Sequence, residues 1–156
     1  RNFSILQKRT SHLKNVILVK AALTDKSGTL DFFLSEELNV DHQAYDSGEG
    51  RMKVRVNAYS LDDYLKESKI TKIDFIKTDL QGFDPIAIRG MEKTIMDNNL
   101  MMHCEFWPFG MLKAGIEPKK WLSELKNFSL STDFVYNENI DKKYYSSIWL
   151  KKANRA

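Results

Sequence analysis

The chain has 156 residues, 42% of them hydrophobic and 29% charged, with a formal net charge of +3. That is enough apolar material to bury one core, and the charge is too small and too evenly mixed to argue for a nucleic-acid or membrane-surface partner. The lone cysteine, Cys104, allows neither a disulfide framework nor a cysteine zinc site and points to the reducing cytoplasm. No stretch reads as a signal peptide, and no apolar run approaches membrane length.

In chain order, residues 3–13 carry Ile5, Leu6, Arg9 and Leu13 near the 3.6 period and predict a helix. Residues 16–23 are a continuous apolar run, the pattern of a buried parallel strand. After a turn at Gly28, Leu30, Phe32 and Leu34 alternate with other residues, and so do Met52, Val54, Val56 and Ala58, which predicts two half-exposed, antiparallel strands. Between them residues 36–51 are polar and rich in turn formers, among them Asp41, Asp46, Gly48 and Gly50, and read either as a surface loop or as a functional one. Ser60 and Asp63 have capping-box spacing and predict a short helix through Leu65.

The most telling stretch is residues 73–85, Ile-Asp-Phe-Ile-Lys-Thr-Asp-Leu-Gln-Gly-Phe-Asp-Pro. An apolar strand climbs to Lys77 and Asp79 and turns on Gly82. A helix follows over about residues 85–98, capped by Asp84 with Pro85 at its first position. Ile88, Met91 and Ile95 form its core stripe. Residues 100–106 make the next buried strand, in which Cys104 serves as a small hydrophobe. Pro118 opens a further helix with Trp121, Leu122 and Leu125 inward, and residues 128–136 and 144–150 form a closing hairpin around a polar turn.

Ligands of open α/β sheets sit at the carboxyl ends of the strands, so Asp79 stands at a strand mouth, as a site residue or as a satisfied strand-end carboxylate. Glu105 ends the neighbouring strand, within roughly 5–7 Å of Asp79 at ordinary strand spacing, as its partner in a site, a helix cap or a counter-ion. Lys77 shares Asp79's face and, buried under helices, needs Asp79 or Glu105 as counter-ion. His103 shares the face of Glu105 and is either a general base or a hydrogen-bonded core residue. Trp107, Pro108 and Phe109 wall a pocket or belong to the core. Asp79 and Glu105 together offer only two hard ligands to a divalent metal.

The order Lys77-Thr78-Asp79-Leu80-Gln81-Gly82, then Arg89-Gly90, then a strand ending in Glu105, resembles the FkbM family of S-adenosylmethionine-dependent methyltransferases. Residues 19–28 and 59–64, Val-Lys-Ala-Ala-Leu-Thr-Asp-Lys-Ser-Gly and Tyr-Ser-Leu-Asp-Asp-Tyr, resemble two further signatures of that family. Gln81 departs from its commoner glutamate. The resemblance implies a class I methyltransferase, Rossmann-like α/β sheet with helices on both faces and a C-terminal antiparallel hairpin, here lacking its first two strands. None of the seven glycines builds a nucleotide-binding strand-loop-helix fingerprint. Residues 1–156 accordingly read as one partial FkbM-like domain, inactive on its own, of marginal stability and poor in cofactor affinity. The strands at 16–23 and 73–79 are not expected to be neighbours.

By the same resemblance the activity is methyl transfer from S-adenosylmethionine to oxygen on a small metabolite or sugar. Asp79, Glu105 and His103 would be catalytic, and Asp79, Leu80, Gln81, Gly82, Ala21 and Ala22 would meet the cofactor, with no metal. The loop at 36–51 becomes a flap over the acceptor, with His42 and Tyr45 as contacts. Two other readings stay open: a non-catalytic methyltransferase-like module that binds a partner or saccharide, and a metal-dependent enzyme built on Asp79 and Glu105.

Overall fold

The computed structural model describes residues 2–35 and 41–153 and folds them into two mixed sheets with helices. Residues 36–40 of the predicted flap lie outside the described residues. The first sheet combines β1 (Ala22–Leu23), β2 (Gly28–Leu34) and β3 (Met52–Tyr59) in the order β1-β3-β2. β2 and β3 run antiparallel with Leu30 opposite Val56 and Phe32 opposite Val54, as their alternation predicts.

The strand expected over 16–23 shrinks to β1, which is parallel to the end of β3 only at Ala22 and Leu23. Ile17 is 71% exposed, and Val16 and Val19 are also exposed. An apolar run becomes a strand only where it finds a backbone partner. Here the chain parts from β3 before Ala22 and leaves a cleft shared with Phe3 and Phe32. Helix α1 (Asn2–Thr10) is shorter than the period suggests and has no buried residue.

After α2 (Leu61–Ser68), whose first turn Ser60 caps by accepting from the Asp63 N–H at 3.1 Å, the chain builds the second sheet. Its strands are β4 (Phe75–Thr78), β5 (Met101–Phe106), β6 (Leu130–Ser131) and β7 (Ser146–Lys152), in the order β4-β5-β7-β6. β4 and β5 are parallel, and β7 is antiparallel to both its neighbours. β1 and β4 lie in different sheets, as expected of the strands at 16–23 and 73–79. The closing hairpin pairs β6 with β7, but the strand expected over 128–136 is only β6, preceded by a 3-10 turn, Leu125–Phe128.

The helix expected over 85–98 is two helices, α3 (Asp84–Arg89) and α4 (Glu92–Asp97). Asp62 explains the break. Its backbone N–H bonds the Gly90 carbonyl at 3.0 Å, and its carboxylate accepts from the amides of Lys93 at 2.9 Å and Thr94 at 2.8 Å. A side chain 31 residues away thus caps a new helix start. Asp84, for its part, does not cap α3. It sits inside the first turn, fully buried, and accepts from the Leu80 N–H at 3.1 Å.

Helices α3, α4, α5 (Pro108–Lys113) and α6 (Pro118–Glu124) pack one face of the second sheet. Ile88, Met91, Met111 and Trp121 meet Met102, Cys104, Phe106, Ile148 and Leu150 there. On the other face Phe75, Met101 and Trp149 are about half exposed, so helices on both faces are not found among the described residues. The alternation explains the difference: Lys77, His103, Glu105 and Lys151 share the open face, a half-polar pattern that suits cover on one side only.

Candidate functional site

The parallel register sets Lys77 beside His103 and Thr78 beside Cys104, so Asp79, the first residue past β4, stands level with Glu105 near the end of β5. Both line a cleft of about 730 Å3 with Asp41, Gln81, Trp107, Lys142 and Tyr145. Asp79 accepts from Lys77 Nζ at 3.1 Å and from Gln81 Nε2 at 3.2 Å. Lys77 thus has the counter-ion predicted for it, but on the open face, its side chain 55% exposed rather than buried under helices.

The chain reverses immediately after Asp79. Phe83 N–H bonds the Leu80 carbonyl at 3.1 Å, and the two central residues, Gln81 and Gly82, have φ of 54° and 85°. Both values lie in the left-handed region, and at Gln81 that conformation carries a steric cost of about 1–2 kcal/mol. The turn is wedged from outside, since a Cβ on Gly82 would come within 2.5 Å of the Gly110 backbone and 2.6 Å of Met111 N. Gly110 itself lies against the Trp107 ring, with no room for a side chain.

Glu105 is half-buried, with Oε2 left without a hydrogen-bond partner. Burial raises its carboxyl to about 7, the charges of Asp79 and Asp84 add to the rise, and the backbone amides of Gln81 and Gly82 oppose it. Asp84, buried beneath the turn, is pushed up to about 6 by burial, against the hydroxyl of Thr78 and the Leu80 amide. Burial likewise raises the Cys104 thiol to about 12, in keeping with its predicted place as a small hydrophobe.

These shifts set a pH dependence of stability. The folded chain holds protons on Glu105 and Asp84 that the unfolded chain, with ordinary carboxyls, has already lost, so stability falls as pH rises from about 4 to 7. Glu49 acts oppositely: hydrogen bonds from Lys142 and Arg51 lower it to about 2, and its contribution is lost only as pH falls below the ordinary carboxyl range. Thermal unfolding followed by circular dichroism is therefore expected to show its highest midpoint near pH 4.5 and a steady decline to pH 7.5. A midpoint that climbs across that interval would contradict the assignment.

The loop over 41–51 forms one wall. Gln43 exchanges both backbone hydrogen bonds with Phe33 of β2, at 2.8 and 3.0 Å. Arg51 bonds the Asp41 carbonyl and pairs with the carboxylates of Asp41 and Glu49, both at 2.6 Å. Glu49 receives Lys142 Nζ at 2.7 Å from the opposite wall, where Trp107 Nε1 holds the Lys142 carbonyl at 2.9 Å. From this anchored loop the buried Tyr45 donates its hydroxyl to the Gln81 carbonyl at 2.7 Å.

The structure brings Asp79, Gln81 and Glu105 to one cleft, with Gly82 in the turn beside it and Trp107 as a wall. Leu80 contributes its amide to Asp84 and packs its side chain on the core. His103 lies against the Trp149 ring, 4.7 Å between centroids, and does not line the cleft. His42 accepts from the Ser35 amide at 3.1 Å and packs on Phe32, away from the cleft. Ala21 and Ala22 line the separate cleft beside α1. Sequence reading missed Asp41, Lys142 and Tyr145, and it gave Tyr45 a contact with the ligand when its hydroxyl holds the turn. A lone aromatic in a polar loop was the available signal for Tyr45.

Two parallel strands that deliver carboxylates to one cleft, joined by a strained turn into a helix, define an α/β protein with an acidic site at the carboxyl ends of its strands. The chain matches the family model for the methyltransferase FkbM domain over residues 6–129, and it belongs to that family of methyltransferases. The match spans Asp79, the Gln81–Gly82 turn and Glu105; Lys142, Tyr145 and β7 lie beyond it. No curated protein and no solved structure matches the chain. Among the described residues no helix is long and apolar enough to cross a membrane.

Proposed function

We propose that the cleft carries out S-adenosylmethionine-dependent O-methylation of a small metabolite or sugar. The observation that carries this reading is the convergence of Asp79 and a Glu105 raised to about 7 on one cleft beside the Gln81–Gly82 turn. A carboxylate that titrates near neutral pH is matched to taking a proton from an acceptor hydroxyl. Asp79, more exposed and already receiving Lys77 and Gln81, favours positive charge beside it and gives the acceptor a fixed hydrogen-bond partner.

Asp79 and the turn suit the sulfonium end of the cofactor, which supplies an electrophilic methyl group. Ala21 and Ala22 lie in the other cleft, and no glycine-rich loop is present to hold the cofactor's amino-acid end. We therefore read residues 1–156 as part of a class I methyltransferase domain. The antiparallel β7 lodged between β5 and β6, with β4 parallel to β5 on the far side, supports that reading. Among the described residues no group of three His, Cys, Asp or Glu is arranged to hold an ion, so a metal-dependent reading rests on Asp79 and Glu105 alone.

The test is transfer of label by the intact enzyme from methyl-labelled S-adenosylmethionine to a panel of hydroxylated acceptors, monosaccharides included. Label recovered as a methyl ether, and lost with Glu105→Gln, is the expected result. Label recovered on nitrogen, or unchanged transfer by the variant, would overturn it.

A further inference from the structure

Tyr145 lines the cleft with 70% of its surface exposed. Single exposed rings are ordinary on a protein surface, but the backbone that carries this one is fixed. The Tyr144 N–H bonds the Asp141 carbonyl at 2.9 Å, Trp107 Nε1 holds the Lys142 carbonyl at 2.9 Å, and Ser146 opens β7 opposite Phe106. Ser147 pairs with Glu105, so Tyr145, two residues earlier, falls on the face of Glu105. Among the described residues the Tyr145 side chain is held by no hydrogen bond, ion pair or ring contact.

The charges around the cleft neutralise one another. Lys142 pairs with Glu49 at 2.7 Å, Arg51 with Asp41 and Glu49 at 2.6 Å, and Lys77 with Asp79 at 3.1 Å. Lys113, over the Phe109 ring at 5.7 Å, is not among the lining residues. A phosphate or carboxylate on a ligand would meet Asp41, Asp79 and Glu105 with each of these paired cations taken, and like charges at close range oppose binding. A cationic ligand would have to compete with Arg51 and Lys77 for their carboxylates. Hydroxyl groups fit better. Asp79 is half exposed and accepts two of the roughly four hydrogen bonds a carboxylate can take, which leaves it acceptor capacity for hydroxyls.

A bare aromatic face beside such a carboxylate suits a pyranose, whose C–H face packs on the ring while its hydroxyls donate to the oxygens. We propose that the acceptor is an uncharged saccharide, that Tyr145 is the platform on which its ring stacks, and that Asp79 receives its hydroxyls. The proposal rests on the methyl-transfer reading for the fate of the bound sugar, and not for the binding itself. Tyr145 lies beyond the residues 6–129 that match the family, so the platform is a property of this chain and is not implied by family membership.

The experiment is saturation-transfer-difference NMR on the intact protein without cofactor. The probes are methyl glycosides of common hexoses and 6-deoxyhexoses, each beside its phosphorylated or uronic-acid counterpart. An uncharged glycoside should receive saturation on the C–H protons of one ring face, and its charged counterparts should receive little. Tyr145→Ala should weaken that binding roughly 3- to 10-fold, and Tyr145→Phe, which keeps the ring, should retain it. Equal or stronger binding of a sugar phosphate or uronate, binding indifferent to Tyr145→Ala, or no binding by any saccharide overturns the proposal. Should Tyr145→Ala lose its fold, the unaltered protein decides: the Tyr145 ring protons must shift on titration with the glycoside, and unmoved ring protons overturn it. A saccharide that binds in this way but takes no methyl group from S-adenosylmethionine would fault the methyl-transfer reading and leave this inference standing. Methyl transfer to a hydroxyl of another kind, with no saccharide bound, would do the reverse.

Discussion

Replacing Asp79 with asparagine in the intact enzyme is expected to lower methyl-transfer turnover by roughly 10- to 1000-fold, about 1.4–4 kcal/mol of barrier, while the fold survives. Asparagine keeps the shape and can still accept a hydrogen bond, so the loss reports charge and alignment. The partners of Asp79 predict a small structural cost. Lys77 and Asp79 are each about half exposed, and exposed ion pairs contribute about 0–1 kcal/mol. Gln81→Glu is the informative companion. Gln81 Nε2 now donates to Asp79, and a glutamate there would lose that bond and set two carboxylates side by side. Near-normal turnover by Asp79→Asn, with circular dichroism unchanged, would remove Asp79 from the mechanism.

Gly82→Ala is expected to destabilise the fold by about 2–5 kcal/mol, combining about 1–3 for overpacking with about 1–2 for a left-handed alanine. The methyl group has nowhere to go, because it meets the backbone of Gly110 and Met111 rather than a flexible side chain. Gly110 cannot retreat, since it is pressed against Trp107, whose indole holds the Lys142 carbonyl. Denaturant unfolding measures the effect, and a loss below about 0.5 kcal/mol would show that the turn relaxes more freely than the packing allows.

How much was legible in the sequence follows from how far apart the interacting residues lie. Asp79 and Glu105 were readable because each ends a strand, and the strand period fixes which face it shares. The β2–β3 pairing was readable for the same reason: Leu30, Phe32 and Leu34 recur at every second position, and Met52 to Ala58 alternate. The single helix over 85–98 was a reasonable reading of Ile88, Met91 and Ile95, all of which are buried. Its break was hidden, because the amides that restart it are capped by Asp62 on α2. The strand at 16–23 failed for a related reason, since hydrophobicity alone does not supply the second backbone a strand requires.

The walls of the cleft were least legible. Glu49 and Lys142 are 93 residues apart, and no local pattern foretells that pair. Tyr45 stood out as an aromatic among turn formers, but only the fold shows that its hydroxyl goes to a backbone carbonyl. Strand alternation placed His103 on the face of Glu105 but could not give its position along the strand: it lies one step inward, against Trp149.

The most direct test of the assignment of Glu105 is the pH dependence of label transfer from S-adenosylmethionine by the intact protein and by Glu105→Gln. The unaltered protein should show a rate that rises with pH along a limb centred near 7, as Glu105 gives up its proton. Glu105→Gln should lose that limb together with most of the rate. A flat profile through neutral pH in the unaltered protein, or an identical limb in Glu105→Gln, would contradict it.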